Sequence, residues 1–188
     1  MNLLYPNLQW RWLPTMLRYA LLGSLVAGGY GIIHDQITYS ISPEYFTRLK
    51  FSQFHYADFG FSSRVFVGEI GFLATWWVGF VAGWFVARIA VPAFSPRTAR
   101  LHASRAFLTI LAFALTASII GYLLGILRRS NSDLSSWEGF ATNWGILDLP
   151  NFVRVAYIHN ASYLGSLVGL LAAIVQLKRR LRTDGAIA

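Results

Sequence analysis

Apolar and polar positions alternate along this chain in long blocks, not residue by residue. Four apolar runs stand out, at about 16–41, 63–91, 98–127 and 151–177. Each is longer than the roughly 20 residues a helix needs to cross a bilayer. Each also carries small residues at spacing four, which lie on one helical face. The first run has Ser24 and Gly28, then Ala27 and Gly31. The second has Gly71, Thr75, Gly79 and Gly83, the third Gly121 and Gly125, and the fourth Gly165, Gly169 and Ala173. Such ladders let helix backbones approach closely, within one chain or between copies. The pattern predicts an all-α, four-helix transmembrane bundle forming one domain over residues 1–188.

The intervening segments are of three kinds. Residues 1–15, with Trp10, Arg11 and Trp12, read as an interfacial lead-in without the pattern of a cleaved signal. Residues 43–62 are too polar to span and too aromatic to stand in water. They predict a short interfacial helix after the first span, with Ser42 as N-cap, Pro43 at the first helical position and Glu44 in the first turn. Residues 130–150 read as a polar loop with Trp137 and Trp144 at the interface. Pro92 and Pro96 are expected to stop the second helix.

Composition agrees with lipid as the solvent. Only 13% of residues are charged, about half the share usual in soluble domains. The absence of cysteine excludes disulfides, zinc-thiolate sites and cysteine nucleophiles. The net charge of +8 is not a nucleic-acid signature, because no basic helix stands clear of the apolar runs. It is distributed instead. Ten basic residues fall on the side of the termini, among them Arg97, Arg100, Arg105, Lys178, Arg179, Arg180 and Arg182, against six on the other. The positive-inside rule then makes both termini cytoplasmic.

Seven of the eight acids, Asp35, Glu44, Asp58, Glu69, Asp133, Glu138 and Asp148, fall on the outer side, with His34, His55 and His159. His34 and Asp35 end the first span, Glu69 opens the second and His159 opens the fourth. Asp35 follows Gly31 at spacing four and should point into the bundle, beside a row of Tyr30, His34 and Thr38. Ionisable groups at membrane depth need a partner or a task. Four readings stay open. His34, Asp35, Glu69 and His159 suit a divalent transition metal, with Glu44 and His55 in reserve. The same groups suit a proton or ion pathway. His34 and His159 suit opposing haem ligands. A structural network within an accessory subunit is the fourth. No P-loop, dinucleotide fingerprint or nucleophile elbow is present.

The blocks HDQITYSISPEYFT at 34–47, ATWWVG at 74–79 and HNASYLG at 159–165 resemble a family of uncharacterised bacterial multi-pass membrane proteins. The resemblance implies a bacterial inner-membrane location and carries over no activity. A homo-oligomer or a partner in a membrane complex remains open alongside the bilayer itself.

Overall fold

The computed structural model describes residues 9–130 and 134–184. They form an all-α bundle, with no strand among the described residues. Its main helices are α1 (Leu13–Ile41), α2 (Ser63–Ala93), α3 (Pro96–Ser130), α4 (Ser135–Trp144) and α5 (Leu149–Asp184). All but α4 are long and apolar enough to cross a membrane. The expected lead-in lies outside the described residues over 1–8, and Trp10–Trp12 forms one 3₁₀ turn. Asp133 also lies outside them.

The surface confirms the solvent. Leu25, Ile33, Leu108 and Leu164 are each more than 60% exposed, whereas Ser24, Asp35, Thr38, His159 and Ser162 are buried. Apolar residues out and polar residues in is the arrangement for lipid, where every polar group must be satisfied within the protein. The chain is a multi-pass membrane protein.

The small-residue ladders build two tight antiparallel pairs inside one chain. In α1–α2, Gly79 packs on the Gly23 carbonyl, Gly71 on Gly31, and Gly83 on Tyr19 and Ala20. Thr75 Oγ1 donates to the Ala27 carbonyl at 2.8 Å across the same seam. In α3–α5, Gly165 and Gly169 pack on Phe113 and Ile110, and Gly121 packs on Tyr157. The two pairs meet each other mainly at their ends. At one end Val86, Ile89, Ala103, Ala106, Ala173 and Leu177 form a core. At the other, Tyr45, Phe46, Val67, Ile146, Phe152 and Val155 form a second. A cavity lies between the pairs, between these two cores.

Three local expectations need correction. Pro92 does not stop α2, which runs on to Ala93; within the last turn a missing N–H costs only one bond. The loop at 130–150 contains the helix α4, closed by Gly145 at φ 62, the left-handed cap conformation that glycine adopts freely. The segment after α1 does start at Pro43, yet Ser42 Oγ has no hydrogen-bond partner and caps nothing. From Tyr45 to Lys50 this segment is a π-helix. It packs Tyr45 and Phe46 into the end core.

Candidate functional site

The site sits where α1 ends and α5 begins. The spacing from Gly31 turns Asp35 inward, leaving it 3% exposed. His159, one turn further along α5 than Val155 on the same buried face, is 5% exposed. His34 is half-buried beside them. One ligand atom from each of these three residues lies within 4.8 Å of the others. The His34 and His159 rings meet edge to face with centroids 4.8 Å apart, and His159 Nε2 is 3.8 Å from Asp35 Oδ1.

Hydroxyls orient the imidazoles. Tyr30 Oη is 3.3 Å from His34 Nδ1, and it also pairs with Ser162 Oγ at 2.8 Å and Ser118 Oγ at 3.2 Å. Tyr30 therefore ties α1 to both helices of the other pair. Thr38 Oγ1 donates to the His34 carbonyl at 3.1 Å and lies 3.2 Å from His159 Nε2. Two atoms of the cluster are left over. His34 Nε2 and Asp35 Oδ2 are buried and have no hydrogen-bond partner. Buried polar atoms are rarely left so.

The other expected members go elsewhere. Glu69 is not in the cluster; its Oε2 is buried without a partner. It shares the cluster's depth but stands two residues before Gly71, which faces α1. Two positions are more than half a helical turn, so Glu69 points away from α1. Glu44 is a structural clamp: its carboxylate accepts from the backbone N–H of Leu147 at 3.0 Å and Asp148 at 2.7 Å, closing the turn before α5. His55 is exposed, with Nδ1 2.9 Å from the Ser52 carbonyl. Arg64, beside the site, binds Gln36 and Ser40. The His34 and His159 imidazoles touch edge to face, with no gap between them for the macrocycle of the haem reading. The polar column runs from His34 through Tyr30 to Ser118, Ser162 and Ser166, and the cavity below is lined by Ala82, Ile110, Ala114 and Leu170.

No protein-family model, curated protein or solved structure matches this chain. The geometry has to carry the functional reading.

Two residues of the site came from no sequence signal. Tyr45 stacks on His159 at 4.9 Å, nearly parallel. Lys50 Nζ lies 5.9 Å above the Tyr45 ring. The wider i→i+5 turn of the π-helix brings Lys50 round to the side of Tyr45. The six residues Tyr45–Lys50 give no hint of that turn in sequence.

Burial lowers the Lys50 pKa from its ordinary 10.5, and Asp35 opposes that shift in part. Burial, and then Asp35, raise the Tyr45 pKa above its ordinary 10.0. The signs make a prediction. Between the lowered Lys50 pKa and 10.5 the folded protein binds fewer protons than the unfolded chain, so stability rises with pH there. Above pH 10.0 unfolded Tyr45 ionises first, and stability falls. Thermal unfolding in detergent should show stability rising with pH below 10.0 in the wild type and a flatter profile in Lys50→Met. Equal slopes in both would mean that Lys50 is solvated in the folded state.

Proposed function

We propose that this chain is a membrane protein of the bacterial inner membrane, termini cytoplasmic, that binds a divalent transition metal ion through His34, Asp35 and His159. The observation that carries the reading is the pair of unsatisfied buried atoms, His34 Nε2 and Asp35 Oδ2, in a group that also includes His159. Two imidazoles and one carboxylate suit zinc, iron or manganese and leave coordination positions open. Tyr30 on His34 Nδ1 supplies the outer contact that fixes a ligating imidazole. Ligands bound at about 2.1 Å stand at most about 4.2 Å apart. Side-chain rotation would therefore have to draw the group in slightly, and His159 Nε2 would exchange its Thr38 contact for the ion. The resemblance of the three sequence blocks to bacterial membrane proteins, and the excess of basic residues beside the termini, support the location and orientation.

A structural network is the second reading. It is favoured by Tyr30, whose hydroxyl alone links α1, α3 and α5. Elemental analysis of protein purified without chelator or histidine tag separates the two. The expected result is a stoichiometric metal that is lost in Asp35→Ala and His159→Ala and kept in Glu69→Gln and Glu44→Gln. A metal-free wild type would leave the network as the role of the cluster.

A further inference from the structure

The cavity between the two helix pairs holds about 330 Å³, within the range of small-molecule sites. Along α5 it runs from His159 to Leu170, eleven residues or about 16 Å at 1.5 Å per residue. Its two ends differ in chemistry. Tyr30, His34, Asp35, His159 and Ser162 line one end; Ala82, Ile110, Ala114 and Leu170 line the other. Trp77 and Val81 of α2 and Leu167 of α5 also line it, and they are 54%, 42% and 55% exposed on the lipid-facing surface. The cavity therefore opens sideways, between α2 and α5, into the bilayer.

We infer that this cavity binds a membrane-soluble amphiphile of the quinone or quinol class, its ring at the His34–Asp35–His159 end and its tail leaving through the α2–α5 opening. Three observations select that class. The unpartnered His34 Nε2 and Asp35 Oδ2 require hydrogen-bonding oxygens or hydroxyls opposite them. Asp35 is among the lining residues and none of them is Lys or Arg; Lys50, whose charge and that of Asp35 act on each other, is outside the lining, so an anionic head such as a fatty-acid carboxylate would meet a carboxylate before any cation. The flat rings of Tyr30, His34, His159 and Tyr163 at that end suit a flat head. The apolar lower half and the lateral opening accept an isoprenoid or alkyl tail and exclude a water-soluble ligand. The inference does not need the metal: it draws on the same two unpartnered atoms, His34 Nε2 and Asp35 Oδ2, and describes the ion-free site.

The test is a titration of chelator-treated protein in lipid nanodiscs with a decyl-substituted benzoquinone, read by quenching of tryptophan fluorescence. Trp77 in the wall should give a saturable component above the linear quenching of partitioned quinone. Ser166→Leu, which fills the cavity midway, should weaken that component by about ten-fold or more. Val81→Trp, which narrows the opening from its lipid side and leaves both cores untouched, should do the same. Leu123→Ala on the lipid face of α3 should not. Dodecanoate should compete only weakly. Absence of a saturable component, its persistence in Val81→Trp, or equal competition by dodecanoate would each overturn the inference. Because the protein carries no metal in this titration, the result is independent of the elemental analysis.

Discussion

Gly79→Leu is expected to lower stability by about 3 kcal/mol, the upper end of what overpacking costs, without changing the oligomeric state. A Cβ at Gly79 would strike the Gly23 carbonyl oxygen, with the Gly23 carbonyl carbon at 2.6 Å and Ala27 Cβ at 2.5 Å. Two of these atoms are backbone of the facing helix, so no rotamer relieves the clash. The helices would have to separate, breaking the Thr75–Ala27 hydrogen bond and the Gly71–Gly31 contact with them. Gly29 is the control. It stands in α1 too, but a Cβ there meets nothing within 4 Å, so Gly29→Leu should stay within about 0.5 kcal/mol of wild type. Thermal unfolding and mass photometry in detergent read both outcomes. A fully stable Gly79→Leu that shifts from oligomer to monomer would assign the ladder to contacts between copies instead.

That contrast between two glycines of one membrane protein shows where sequence reading reaches and where it stops. The four spans were legible because lipid demands long apolar runs, and the ladders because spacing four defines a face. The same rule turned Asp35 inward and set Tyr30, His34 and Thr38 in one row. Depth was legible as well, which is why His34, Asp35 and His159 could be grouped before their distances were known. Rotation about a helix relative to its neighbour was not. Glu69 has the right depth and the wrong azimuth, and only packing against α1 decides that. Glu44 carried a charge in the right region, but its partners are backbone amides of a turn about a hundred residues later, which no local pattern reveals. The π-turn was invisible for a related reason. It exchanges regular hydrogen bonding for the burial of Tyr45 and Phe46, a tertiary gain that residues 45–50 alone do not announce.

Phe46→Ala should therefore damage stability and site together. Phe46 is fully buried. Its ring meets Tyr39 at 5.5 Å, Tyr45 at 5.7 Å and His159 at 6.1 Å, all edge to face. Removing a ring so enclosed costs about 3–5 kcal/mol, depending on how far the hole collapses. The end core it belongs to is also the roof of the site. Without the ring, the π-turn loses the reason for its unusual hydrogen bonding, and Tyr45 is free to leave His159. Lys50, which depends on that turn for its place above Tyr45, would leave with it. Two losses are expected, then: a lower unfolding temperature, and weaker retention of metal and of benzoquinone measured well below that temperature. Tyr56→Ala, 69% exposed in the same segment, should change neither. A Phe46→Ala protein that unfolds early yet binds as well as wild type would separate the roof from the site, making the π-turn a device of folding alone. Loss of binding in parallel with stability would instead make the turn the part that holds His159 and the neighbouring carboxylate in register, because Phe46 itself offers no polar atom to any ligand.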